Sequence, residues 1–102
     1  MVKHVVLWDL NEALAEEKRE VVCGNIKESL EGLVGKIPGL VDVKVSYQMV
    51  GGNADIILDS TLESLEALEV YYKHPDHVKV GAEVVRPNVQ NRRCADYEMD
   101  CV

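Results

Sequence analysis

The chain has 102 residues, with 18 acidic against 11 basic side chains, a net charge of −7, 47% hydrophobic residues and 28% charged ones. That length suits one domain over residues 1–102, burying roughly 60–65% of the surface its unfolded chain exposes, with no room for a separate catalytic domain. The negative charge repels phosphate backbones and anionic membrane surfaces, no apolar run approaches the ~20 residues of a membrane span, and Met1-Val-Lys-His passes directly into a strand-like segment. The expectation is a cytoplasmic protein that binds neither nucleic acid nor membrane.

Residues 2–8 read as a strand, with Val2, His4, Val6 and Trp8 on one face and Lys3, Val5 and Leu7 on the other. From about Asn11 to Lys36 the apolar positions Leu14, Val21, Val22, Ile26, Leu30 and Leu33 keep helical spacing, and Gly35 and Pro38-Gly39 end the helix. The acidic residues of this segment, and those from Glu63 to Glu69, fall between the apolar positions and read as solvated helix faces.

Residues 40–50 alternate, with Val41, Val43, Val45, Tyr47 and Met49 on one face and Asp42, Lys44, Ser46 and Gln48 on the other. Gly51-Gly52-Asn53 signals a hairpin into a returning strand over Ala54 to Asp59. Ser60-Thr-Leu-Glu63 fits a capping box that opens a second helix, running to about Lys73. Pro75 stops that helix and starts a short one, running to about Gly81, and a last strand lies near residues 88–99. Cys23, Cys94 and Cys101 are odd in number and lack CxxC spacing, so they read as reduced thiols rather than a disulfide framework or a zinc site.

The order is β-α-β-β-α-β, an α+β, ferredoxin-like arrangement with two helices on one face of an antiparallel sheet. Helices cover one face only, yet strands 1, 2 and 3 carry apolar residues on both. At ~25 cal/mol per Å2, leaving the second face in water sacrifices several kcal/mol. A second subunit stacked sheet to sheet resolves this, so a homodimer that closes a barrel around a pocket is expected.

The chemistry concentrates in Tyr71-Tyr-Lys-His74-Pro-Asp-His77-Val, where two of the three histidines stand three residues apart across a helix break. His74, at the joint, is expected to cap the short helix, with His77 one turn into it. A His-x-x-His pair with proline between its members is a weak metal signal, and neither a metal nor another cofactor is expected.

Three stretches in the right order, Val2-Lys-His-Val-Val-Leu-Trp8, Ile37-Pro-Gly-Leu40 and Tyr71-Tyr-Lys-His-Pro-Asp-His77, resemble the stress-responsive dimeric A/B barrel (Dabb) family, and the resemblance spans nearly the whole chain. It implies a ferredoxin-like protomer in a dimeric α/β barrel. Plant polyketide cyclases of that family use a pocket tyrosine and histidine for an aldol cyclisation. The resemblance carries these roles to Tyr71 and His77 as candidate catalytic residues. The first-strand histidine matches His4, and the acidic residue before a last-strand tyrosine matches Asp96. Such a pair is chemically apt, since a neutral imidazole removes a proton α to a carbonyl while a phenol donates to the developing oxyanion. Asp96 would then orient His77. His4, Trp8 and Asp96 are the expected pocket lining.

The chain has no phenylalanine, so a broad aromatic-polyketide pocket does not carry over. Arg86, Arg92 and Arg93 are candidates for receiving an anionic ligand. The leading expectation is a small stress-response A/B barrel protein, a homodimer with a small-ligand pocket. The alternatives are a cyclase-like or lyase-type enzyme using a Tyr/His acid–base pair, and a purely structural oligomer with a filled barrel.

Overall fold

The computed structural model describes residues 1–99. Its elements are β1 (Val2–Leu10), α1 (Arg19–Glu31), β2 (Leu40–Ser46), β3 (Ile56–Leu62), α2 (Leu65–Lys73), α3 (Pro75–Val80) and β4 (Val89–Glu98). The strands form one antiparallel sheet in the order β2-β3-β1-β4, the split βαβ arrangement expected from the element order.

Alternation along β1 is complete: Val2, His4, Val6, Trp8 and Leu10 are buried, while the residues between them are half-buried. The buried set packs with Ile56, Leu58 and Leu62 of β3 against Cys23, Ile26 and Leu30 of α1 and Leu68 and Tyr71 of α2. The core therefore lies between the sheet and its helices. Fully burying one aliphatic side chain such as Ile26 contributes about 1.5–3 kcal/mol, which is why α1 holds despite its polar outer face.

Several local expectations are corrected. The first α-helix begins at Arg19 rather than near Asn11, because the Asn11 side-chain oxygen accepts from the Ala13 backbone N–H at 3.0 Å and Ala15 is extended. That side-chain turn competes with helix. The helix ends at Glu31, before Gly35, which sits at φ 89° in the turn that follows. Gly39, at φ 83°, brings the chain so close to α2 that a Cβ there would lie 2.6 Å from the Ala67 Cβ.

Strand β2 carries a bulge between Leu40 and Asp42. The extra residue reverses the inside–outside alternation, so Leu40, Val43 and Val45 are buried while Val41, expected beside them, is exposed. β2 ends at Ser46, so Tyr47 and Met49 lie in the long connection to β3. Ser60 does not cap α2. It is a buried residue of β3, facing inward in register with Ile56, Leu58 and Leu62, and Ser64 is the cap, accepting from the Ala67 N–H at 3.1 Å.

The other face of the sheet shows Val5, Leu7 and Ile57, each half-buried, and the exposed ring of Tyr97, which stands opposite Lys3. Among the described residues, no helix packs there.

Candidate functional site

The His-Pro joint works as a double helix end. His74 closes α2 with its backbone N–H on the Tyr71 carbonyl, and its Nδ1 accepts from the Asp76 N–H at 3.1 Å to open α3, with Pro75 at the first position. The bend carries His77 back over α2, its ring centroid 4.2 Å from that of Tyr71 and 6.2 Å from that of Tyr72. A single wide π turn, Gly81–Val85, follows and delivers Val85 and Arg86 to the same place.

These segments enclose a cavity of about 260 Å3 between the sheet and the helices. Its apolar wall includes Val6, Trp8, Leu30, Leu58 and Val85; its polar groups are His4, Tyr72, His77, Arg86 and Arg92. The pocket thus opens on the helix-covered face of one protomer, not in the space between two sheets where it was expected. The parity of β1 explains this, because His4 and Trp8 share the inward face with Val2 and Val6. A larger groove of about 460 Å3 beside Cys23, Tyr47 and Asp55 is more open and brings together no comparable set of hydrogen-bonding rings.

His4 is 1% exposed and stands directly opposite Asp96 in the β1–β4 register. Its Nδ1 lies 2.5 Å from the Asp96 Oδ1. A carboxylate can only accept, so Nδ1 carries a proton. The Tyr72 hydroxyl joins the pair, 3.1 Å from the same Nδ1 and donating to the Asp96 Oδ2 at 3.2 Å. Burial pushes the Asp96 carboxyl up, but the hydrogen bond and charge of His4, with the donors Tyr72 and Cys94, outweigh it and hold the group below the usual carboxylate range. The Tyr72 phenol moves the other way, raised by burial and by the neighbouring Cys94 and Asp96, so it stays protonated. His77 is lowered, first by burial and then by the neighbouring His4, Arg92 and Arg86, with the Tyr72 carbonyl acting in the opposite sense. Its Nδ1 is buried without a well-formed hydrogen bond, so a neutral imidazole is the favoured state.

Of the residues named from sequence, His4, Trp8 and His77 line the cavity. Asp96 stands behind His4 and bonds to it, not to His77 as expected. Tyr71 is wholly buried, its hydroxyl has no well-formed hydrogen bond among the described residues, and burial, only partly offset by Ser60, pushes its pKa up to about 12. Tyr72 was missed. The adjacent tyrosines were both visible, but only the roll of α2 decides which faces the cavity.

Among the described residues, His4, Cys94 and Asp96 place a nitrogen, a sulfur and a carboxylate oxygen within 4.8 Å of one another. Zinc accepts such donors, but two ligands on one tetrahedral ion sit about 3.3 Å apart for bonds near 2.0–2.1 Å, and the 2.5 Å separation of Nδ1 and Oδ1 is that of a hydrogen-bonded pair. His74 spends its Nδ1 on the helix cap. Cys23 and Cys94 are free thiols, the first buried and the second exposed, and Cys101 lies outside the described residues.

The model of the stress responsive A/B barrel domain matches residues 2–99. Among solved structures, a dimeric protein of unknown function with a ferredoxin-like fold from Bacteroides fragilis is 33% identical, with a TM-score of 0.85 over 96% of this chain and 95% of that one. A protein from Arabidopsis thaliana is 26% identical, with a TM-score of 0.77 over 100% of this chain and 98% of its own. The hydroxynitrile lyase of Passiflora edulis shares the fold at 14% identity, with a TM-score of 0.76 over 97% and 93% of the two chains. Among curated proteins, no sequence matches this chain.

Proposed function

Since the chain belongs to the stress responsive A/B barrel domain family, we propose that it is a single-domain cytoplasmic homodimer whose protomers each bind a small carbonyl compound and move a proton on it. One observation carries this reading: His4, Tyr72 and His77, from three different elements, converge on one half-enclosed apolar cavity. An open cavity of this kind favours ligand chemistry over a purely structural oligomer. The groups suit complementary tasks. His77, kept neutral by burial and by nearby positive charge, has the lone pair to remove a proton α to a carbonyl. Tyr72, kept protonated, offers its one hydrogen to the oxygen on which charge develops by turning it away from the Asp96 Oδ2. Asp96 orients the His4 ring. Tyr71 supports the His77 ring by packing, which separates the present reading from one that assigns the phenol's role to Tyr71.

The test is exchange of the α-protons of a medium-chain ketone, octan-2-one, for deuterium, followed by proton NMR. The wild-type protein accelerates exchange, Tyr71→Phe retains the acceleration, and Tyr72→Phe and His77→Ala lose it while staying folded. Equal rates with all four proteins would overturn the reading. The dimer is supported by the apolar outer face of the sheet and by the dimeric relative from Bacteroides fragilis. Sedimentation at micromolar concentration should give about twice the 11.4 kDa chain mass, and a folded monomer refutes it.

A further inference from the structure

Two of the cavity's polar lining residues make no hydrogen bond to the acid–base cluster among the described residues. Arg86 begins the short 3-10 turn Arg86–Asn88, and Arg92 lies in β4, so separate segments bring two guanidinium groups to one cavity. The placement of Arg92 has a definite cause. Leu7 pairs with Arg93 and Asp9 with Gln90, so Asn91 and Arg92 together oppose the single residue Trp8. This is a bulge with its first residue, Asn91, at φ 56°, and bulges re-aim the side chains beside them. Here Arg92 joins Trp8 at the cavity wall while Arg93 goes to the other face. There Arg93 is fully occupied, bonding Asp9 and the carbonyls of Asn91 and Asn53. Arg86 and Arg92 form no ion pair and no side-chain hydrogen bond among the described residues, on a chain whose net charge is −7.

An unpaired pair of guanidinium groups beside an apolar wall has a definite chemical complement. We infer that the ligand of this cavity is an amphipathic carboxylate, its anionic end held by Arg86 and Arg92 and its hydrocarbon body lying against Trp8, Leu58 and Val85. Guanidinium groups match the planar carboxylate through paired N–H donors. A doubly charged phosphate ester is a poorer complement, because most of the wall is apolar and the cavity is small. This inference rests on the pocket reading above and sharpens it, since a keto acid then presents its carbonyl to Tyr72 and His77 while its carboxylate stays with the arginines.

The protein has one tryptophan, and it lines the cavity, so Trp8 emission reports occupancy. The probes are octanoate and octanamide, alike in shape and different in charge, titrated into the full dimeric protein at neutral pH and low salt. Octanoate should bind at least tenfold tighter than octanamide, with a preference that shrinks as salt is added. In Arg86→Gln/Arg92→Gln, octanoate should weaken to the affinity of octanamide while octanamide is unchanged. Both arginines are exposed, so the double variant should fold, and circular dichroism and sedimentation check that it does. Equal affinity of the two probes in the wild type, or a preference that survives the double substitution, overturns the inference while leaving the pocket reading standing. If neither probe alters Trp8 emission at millimolar concentration, both fall.

Discussion

Replacing Asp96 by alanine is the most direct probe of how the sheet supports the site. His4 is 1% exposed and its Nδ1 proton goes to Asp96 at 2.5 Å, so in Asp96→Ala the ring keeps the Tyr72 hydroxyl at 3.1 Å and the weaker Cys94 sulfur at 3.7 Å. A charge-assisted hydrogen bond contributes about 1.5–3 kcal/mol when shielded. The Asp96 side chain is 35% exposed, so water replaces part of the loss, and the expected cost falls to about 1–2 kcal/mol. For a chain of this size that lowers Tm by roughly 5–15 °C, measured calorimetrically at matched protomer concentration. The native carboxyl lies below its unfolded value. Its contribution is therefore full above the unfolded pKa near 3.9 and fades as pH falls through the native one, so wild type and variant should converge at strongly acid pH. A double-mutant cycle with His4→Ala assigns the loss to the pair. A Tm unchanged in Asp96→Ala, or a coupling energy near zero, refutes the claim that this bond fixes His4.

Three further outcomes follow from the geometry. His74→Ala removes the acceptor for the Asp76 N–H and should cost about 1 kcal/mol in chemical denaturation while leaving octanoate binding intact; an equal loss of binding would mean that His74 belongs to the site. The native pKa of His77 is depressed, so the unfolded chain takes up its proton first as pH falls below about 6.5, and stability present above that value is lost as pH drops through the native one. That slope should vanish in His77→Gln, and an identical slope in both proteins rejects it. Gly39→Ala forces a left-handed residue to carry a Cβ 2.6 Å from that of Ala67, and a loss of less than about 1 kcal/mol in denaturation would show that the turn yields.

The parts legible in sequence are those set by periodicity and by strong punctuation. The two faces of β1, the split order of strands and helices, the joint at Pro75 and the capping role of His74 all follow from spacing two, spacing near 3.6 and the missing N–H of proline. The misreadings come where two patterns fit equally. Ser60 and Ser64 both precede the helical stretch, and the choice of Ser64 follows from continued alternation through Ile56, Leu58, Ser60 and Leu62, which places a hydroxyl in the core with no well-formed hydrogen bond among the described residues. Val41 reads as inward until the bulge at Leu40 is known, since one inserted residue reverses everything beyond it. Tyr71 and Tyr72 sit about 100° apart on the helix, and only the roll of α2 against the sheet sends the first to the core and the second to the cavity. The side of the sheet on which the pocket lies was misjudged for the same reason: an apolar face seen in sequence does not say whether helices or a second sheet will cover it.

The division of work along β1 links the cavity to the proposed dimer. Its even-numbered residues place His4, Val6 and Trp8 in the cavity wall, and its odd-numbered ones put Val5 and Leu7 on the open face. A slip of one residue would exchange the two sets, so a functional site here requires the register to be held from both sides. It is held from both sides: β1 lies between β3 and β4, His4 is tied to Asp96 across one border, and Lys3 is tied to Asp59 and Thr61 across the other. A partner stacked on Val5 and Leu7 adds a further restraint to the strand that carries His4, without touching the cavity itself. The opposite wall is anchored less firmly. None of the α3 residues reaches full burial, and the helix joins the core through the ring of His77 against Tyr71 and through the half-buried Val80. The sheet therefore sets where His4 and Arg92 stand, while α3 and the π turn behind it bring His77, Gly81 and Val85 to the cavity.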